Sequence, residues 1–312
     1  MEHHLRTTHD RWNKGLLPAL EIEPGDLVTF ECFDSTGGQV QPGSTVDDFL
    51  KIDRSKIHTL TGPILIKGAK TGDAIRVEIL DVQHHGWGWS SITPGLGFLP
   101  TRFQDPFLFI WKLDASSTKS LSPAVVPLQP FCGVMGVAPA EPGEFRTRAP
   151  GTFGGNMDVK ELVAGSTLFL PVVNDGGLFS LGDPHAAQGD GEVCINGIEC
   201  PATVRVKISL LKDSGLTGPM ITTAPRPAPG GGEWLMIESD KDALAAARQA
   251  TNRMIDFLVA NWELRPEHAY LLCSVAMDLR LSQVVNTPVV TVSASISKSI
   301  LPDPGRLVIT NS

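Results

Sequence analysis

Ala74-Ile75-Arg76-Val77-Glu78-Ile79-Leu80 alternates between two faces, with Ile75, Val77 and Ile79 on one and Arg76 and Glu78 on the other. A period of two marks a half-buried β-strand. Comparable runs recur on both sides of it. Residues 26–32 alternate from Val28 onward, residues 62–66 open another strand, and 166–173, 202–208 and 288–294 read the same way. The 166–173 run is almost continuously apolar, as a buried strand would be, and Pro171 hints at an edge or bulge. Two turn signals precede such runs: Glu23-Pro24-Gly25-Asp26 and Lys70-Thr71-Gly72-Asp73. In each, glycine supplies positive φ and aspartate can bond nearby backbone N–H groups. The 31 glycines and 24 prolines are spread along the chain, which favours many short strands joined by turns.

Helical periodicity is confined to the last quarter. A capping signal at residues 239–242 precedes Leu244, Ala247, Thr251, Ile255, Leu258 and Trp262 at helical spacing. A second helix is predicted to start at Pro266 and to run through Tyr270 and Leu272. The chain therefore reads as mainly β. Residues 1–222 form a β-sandwich or jelly-roll-like body that carries the chemistry, and residues 223–312 a smaller C-terminal α/β part packed on it, or the two form one continuous domain. The Pro/Gly-rich residues 223–233 mark the boundary, and Gly230-Gly231-Gly232 within them lacks the Lys-Ser/Thr of a phosphate loop.

Lys plus Arg number 26 against 34 Asp plus Glu, a net charge of −8. That balance argues against a nucleic-acid partner, and no basic amphipathic stretch suggests a membrane surface. The first residues show no signal-peptide pattern and residues 107–111 are too short to span a bilayer, so a cytoplasmic location is expected. Five cysteines, an odd number without a Cys-x-x-Cys pair, imply free thiols rather than a disulfide framework.

Chemistry concentrates in Gly182-Asp183-Pro184-His185-Ala186-Ala187-Gln188-Gly189-Asp190-Gly191-Glu192. On extended chain, Asp183 and His185 point to one side, and so do Asp190 and Glu192. The small residues between the pairs let the chain turn, so the four groups can converge, with Val193 and Ile195 facing the core. A mixed oxygen and nitrogen donor set suits a divalent metal, zinc first, while calcium or another hard ion fits a carboxylate-rich set. A metal with an open position brings the pKa of bound water to about 7, and Glu192 is placed to take its proton.

Other candidates lie elsewhere. In His84-His85-Gly86-Trp87, vicinal histidines point to opposite faces, so one of His84 and His85 can face a site as ligand or acid, with Trp87 shaping a small pocket. The Gly154-Gly155-Asn156 turn can offer donors to an oxyanion. Cys132 would need a base to act as nucleophile, and none is local. His3, His4, His9, His58 and His268 read as terminal or surface residues.

Residues 182–193 resemble the signature of the acetamidase/formamidase family. Residues 154–158 resemble its Gly-Gly-Asn-x-Asp, and 131–139 its Phe-x-Gly-x-x-Gly-x-Ala-Pro. Residues 278–286 resemble its Asp-Leu-Arg-x-Ser-Gln-Val-Val segment, and Gly62-Pro63 with residues 68–73 an early family pattern. The resemblance implies a β-rich fold with a C-terminal α/β part, hydrolysis of short amides to carboxylate and ammonia, a divalent metal, and a homo-oligomer, a dimer foremost. Matched position by position, it carries over Asp183, His185, Asp190, Glu192, Asn156 and Asp158. Asp34 joins them, because the family has an acidic residue after a strand there. Asn286 stands where an aspartate is expected and receives no charge-dependent role. The expected site thus has Asp34, Asp158, Asp183, His185 and Asp190 as metal ligands. Glu192, with His84 or His85, does proton work, and Asn156, Gly155 and Trp87 meet the substrate. The alternatives are hydrolysis of a lactam or other small cyclic amide, a Cys132-dependent amidase, and a noncatalytic sandwich that binds a metal or small ligand.

Overall fold

The alternation at residues 74–80 builds the strand Ala74–His84, with Ile75, Val77 and Ile79 buried and Leu80 exposed on the other face. The computed structural model describes residues 1–223, 231–305 and 307–309. Residues 224–230, within the stretch read as a boundary, lie outside the described residues. Among the described residues Ala74–His84 is the fourth strand of a nine-stranded sheet. Its spatial order is Glu2–Leu5, Leu27–Cys32, Ala202–Leu211, Ala74–His84, Thr167–Pro171, Met220–Thr222, Glu233–Asp240, Val290–Ser297 and Met277–Gln283. Neighbours run antiparallel except the first pair. The two predicted turns form as read: Gly25 and Gly72 have φ of 100° and 96°, and the carboxylates of Asp26 and Asp73 accept from the N–H groups of Glu23 and Lys70.

A second sheet of six strands lies against the first. Gly154–Asn156, Phe131–Gly136, Phe179–His185, Leu60–Ile66 and Thr8–His9 follow one another, and Leu20–Ile22 also pairs with Leu60–Ile66. The inner faces meet in one apolar core. Val28, Phe30, Val204 and Val206 come from the large sheet, and Ile64, Phe131, Met135 and Phe179 from the small one. Phe30 and Phe179 meet edge to face, ring centres 6.1 Å apart. Each such side chain taken out of water stabilises the sandwich by roughly 1.5–3 kcal/mol.

The other face of the large sheet is covered at its C-terminal end by the helices Ala243–Trp262 and Pro266–Ala276. Met254, Phe257 and Leu258 pack there on Phe169, Met220, Trp234 and Ile296. This is the mainly β fold with a smaller C-terminal α/β part that the strand pattern implied. The sheet runs through both parts, because Met220–Thr222 pairs directly with Glu233–Asp240. Among the described residues, no helix is long and apolar enough to cross a membrane.

The long helix differs from its sequence reading in two details. Ser239 and Asp240 end a strand, so the cap is Asp242, whose side chain accepts from the Leu244 N–H at 2.8 Å. The buried face runs through Ala246, Ala250, Met254 and Phe257, while Leu244 is exposed. Small alanines let the helix backbone approach the sheet, whereas scoring by hydrophobicity favours the larger Leu244.

Candidate metal centre and active site

Three strands of the small sheet gather the acid groups. Phe131–Gly136 pairs on one side with Phe179–His185, Phe131 opposite His185, and on the other with Gly154–Asn156. Asp183 and His185 end the first partner, and Asp158 follows the second by two residues. Gly133 lies between them on the central strand. A Cβ at Gly133 would collide with Asp158 Oδ1 and stand 3.0 Å from Asp183 Oδ2 and 3.2 Å from His185 Cε1. A glycine is what lets two carboxylates and an imidazole close over this strand. Asp158, Asp183 and Glu192 have φ of 51°, 55° and 47°. Left-handed backbone costs a non-glycine residue roughly 1–3 kcal/mol, and such residues cluster where function requires them.

The side chains converge on one imidazole. His185 Nε2 lies 2.9 Å from Glu199 Oε1, 3.5 Å from Asp183 Oδ1 and 4.0 Å from Glu192 Oε1. Donor atoms of Asp158, Asp183 and His185 lie within 4.8 Å of one another, as do those of His185, Glu192 and Glu199. Asn156 Oδ1, Asp158 Oδ1, Asp183 Oδ1, Glu192 Oε2 and Glu199 Oε2 are buried without a hydrogen-bond partner. Buried polar atoms are nearly always partnered. Orphaned oxygens on four neighbouring carboxylates, with Asn156 beside them, fit a cation.

Gln188 orients the imidazole. Its Nε2 donates to the Asp158 carbonyl at 2.8 Å, which turns its Oε1 toward His185 Nδ1, also at 2.8 Å. An amide oxygen only accepts, so Nδ1 carries the proton and Nε2 can offer its lone pair to a metal. Replacing Gln188 by Leu is expected to weaken divalent-metal affinity roughly ten- to hundredfold, read by competition with a chromogenic chelator.

Charge in the cluster is poised against burial. Burial lifts Asp158 to about 7 and Glu199 to about 8, and carries Glu192 well above the usual carboxylate range. Burial opposes the His185 cation, but the Glu199 and Asp183 carboxylates outweigh it and raise its pKa well above normal. Burial also opposes ionisation of Asp183, yet His58 and His185 hold its carboxyl below the ordinary range. Asp158 and Glu199 therefore bind protons more tightly folded than unfolded. Their contribution to stability is full below roughly pH 4 and is lost as pH rises through about 7 and 8. Metal-free protein should show a falling Tm as pH rises from about 5 to about 8.5, the direction these raised pKa values set. Bound divalent cation should remove that fall. A flat metal-free profile would contradict this picture of the cluster.

Of the residues read from sequence, Asp158, Asp183, His185, Glu192 and Asn156 come together here. Asp34 is buried nearby, but its carboxylate accepts from the Thr36 N–H at 2.7 Å and from the Thr36 hydroxyl. Asp190 points away and pairs with Lys160 at 2.7 Å. Gly191, with φ of 90°, and Glu192 turn the chain between them, so one carboxylate goes out and the other in. The strand expected after Glu192 does not form. Ile195 N–H bonds back to the Glu192 carbonyl, and Val193 is 58% exposed rather than in the core. His84 and His85 lie at the end of the large-sheet strand. His84 Nδ1 accepts from the Gly86 N–H, and His85 Nε2 meets Thr203 Oγ1 at 3.1 Å. Gly155 pairs with Met135, and Trp87 packs on Val40, Phe49 and Trp89. None of these four lines the cavity above the cluster.

That cavity, about 230 Å³, is lined by Asn156, Asp183, Glu192, Glu199 and Asn286, with Phe49 and Trp89 among its walls. Glu199 was not found in the sequence, and other neighbours were named there without a site role or with a different one. Glu199 follows the Asn196-Gly197 turn signal, which returns the chain so that Glu199 bridges back to His185. Asn286 donates to Asp158 Oδ2. His58, read as a surface residue, is largely buried with Nε2 3.8 Å from Asp183 Oδ2, and burial pushes its pKa down. Cys132 sits under the cluster, but its contact with Cys32 and its burial push the thiol far from ionisation. A nucleophilic cysteine requires the opposite.

Comparison with known proteins agrees along the chain. The acetamidase/formamidase family profile matches residues 1–144 and 140–302. A formamidase of Methylophilus methylotrophus is 27% identical, over 90% of this chain and 86% of that protein. An acetamidase of Mycolicibacterium smegmatis is 28% identical, over 85% and 84%. The crystal structure of an acetamidase from Bacillus halodurans matches with a TM-score of 0.87 at 33% identity, covering 95% of this chain and 98% of that one.

Proposed function

The chain belongs to the acetamidase/formamidase family, and on that premise we propose that it hydrolyses short linear amides at the buried cluster around His185, with a divalent cation. The observation that carries this reading is the set of orphaned carboxylate oxygens facing an imidazole whose tautomer Gln188 fixes. Asp158, Asp183 and His185 Nε2 would hold the cation. One nitrogen among oxygens suits zinc better than calcium, which takes oxygens only. Bound there, the cation supplies a Lewis acid for the amide carbonyl and for water.

The chain's own groups do the rest. Glu192 takes a proton from water, whose oxygen bonds to the carbonyl carbon. The C–N bond breaks as the nitrogen receives that proton, giving carboxylate and ammonium overall. Trp89 Nε1–H is buried without a partner in the cavity wall and is available to the substrate carbonyl. Phe49 and Trp89 exclude bulk water, which strengthens each charge interaction inside.

Ammonia release from formamide, acetamide and propionamide tests this reading on the protein as purified, after chelation and after zinc is restored. Release that is lost on chelation and regained with metal is expected. Full release from metal-free protein would remove the cation from the reaction. No release from any amide, with metal bound, would leave a binding protein.

A further inference from the structure

The reaction occupies only the floor of its cavity. The rest of the lining includes Arg54, Arg146 and Arg148. Ion pairs of the described arginines are made by Arg11, Arg76, Arg205, Arg253 and Arg280. Among the described residues, the three cavity arginines have no carboxylate within ion-pair distance. Arg148 is the most enclosed of them. One of its terminal N–H groups donates to the Val285 carbonyl at 3.3 Å, which leaves the rest of its fork unspent. Arg146 stands two residues away along the chain, and burial together with that like charge makes the Arg148 cation harder to hold. Arg148, His58 and Asp183 line the same cavity, and His58 Nε2 is 3.8 Å from Asp183 Oδ2, so the guanidinium shares its cavity with the reaction centre.

A half-buried, unpaired guanidinium beside a second one is costly unless an anion meets it. The planar fork of arginine matches a carboxylate with two parallel hydrogen bonds. Space agrees with charge. At about 30 Å³ for a water-sized group, the four non-hydrogen atoms of acetamide take roughly half of the cavity.

We infer that the amide cleaved here carries a carboxylate of its own: a short amide-acid, ⁻OOC–R–CONH₂, with its amide over the cluster and its carboxylate on Arg148 and Arg146. This rests on the amidase reading above and narrows its substrate class. With one water, the amide-acid gives a dicarboxylate and ammonium. The C–N bond breaks, a C–O bond forms, and net charge is −1 on both sides. A competing role for the arginines is to offset the acids on the cavity floor. That role makes their loss felt equally by neutral and anionic amides.

The test compares ammonia release from succinamate, its methyl ester and butyramide, using the metal-loaded full chain. Wild type is expected to favour succinamate over its methyl ester roughly ten- to hundredfold in kcat/KM, mostly through KM. That preference should shrink with added salt. Arg148→Gln should bring it near parity, Arg148→Lys should keep part of it, and Arg146→Gln should reduce it. Reading the ratio within each variant cancels losses of folding or metal. The salt series on wild type stands even where a variant fails to fold. Equal or better cleavage of the neutral amides by wild type overturns the inference, and so does a fall in Arg148→Gln that is the same for all three compounds. In both cases ammonia is still released, so the amidase reading survives. Absence of ammonia from all three compounds and from formamide and acetamide overturns both.

Discussion

Glu192→Gln is expected to cut kcat for ammonia release by roughly 10²–10⁴-fold while leaving metal content unchanged. The two side chains have the same shape, so the turn that holds residue 192 at φ of 47° is undisturbed. The amide cannot take a proton. Glu192 lies 4.0 Å from His185 Nε2, farther than Asp183 or Glu199, and its Oε2 is buried without a partner. In the proposed reading this carboxylate, beside the ligand set and facing the cavity, acts on water. Burial and the Asp158 carboxylate raise its pKa, and a cation at the neighbouring ligands would lower it again toward the working range. Unchanged turnover with full metal content would take the base role from Glu192. Glu199, 2.9 Å from the same imidazole nitrogen, would then be the next carboxylate to remove.

Gly133→Ala is expected to lower activity by roughly a hundredfold or more without unfolding the protein. The methyl group has no room beneath Asp158, which must leave its contact with Asn286. The strand Phe131–Gly136 keeps its pairing on both sides, because alanine needs no change of its backbone. The strain should cost roughly 1–3 kcal/mol, seen as a modest fall in Tm with unchanged circular dichroism. Metal affinity should fall with activity. Normal activity and metal binding in Gly133→Ala would mean that the carboxylates do not need their present positions.

What the sequence could show depended on how local each cause is. Ala74–His84 was legible because burial on one face writes itself as alternation. The start of the second helix was legible because Pro266 suits a first turn, where its missing N–H costs nothing. Asp183 and His185 were legible as a pair two residues apart, although Asp183, with φ of 55°, departs from extended chain, and the family resemblance tied Asp158 to them. The same rule misplaced Asp190, because one glycine at 191 breaks the extended geometry on which the rule depends. His58 and Glu199 come from stretches outside the motif and reach it through chain reversals that no period reveals. Arg148 was invisible for a related reason: that it meets a backbone carbonyl and, among the described residues, no carboxylate is something only three-dimensional neighbours can show.

Occupancy of the cluster decides most between these readings and their rivals. Anomalous diffraction at the zinc edge, from crystals of zinc-loaded protein, locates the cation directly. The expected result is a single strong peak within coordination distance of His185 Nε2 and of a carboxylate oxygen from each of Asp158 and Asp183, with Glu192 beside it. A peak elsewhere, or none in crystals of protein that still releases ammonia from amides, would contradict a metal-dependent site built on these residues.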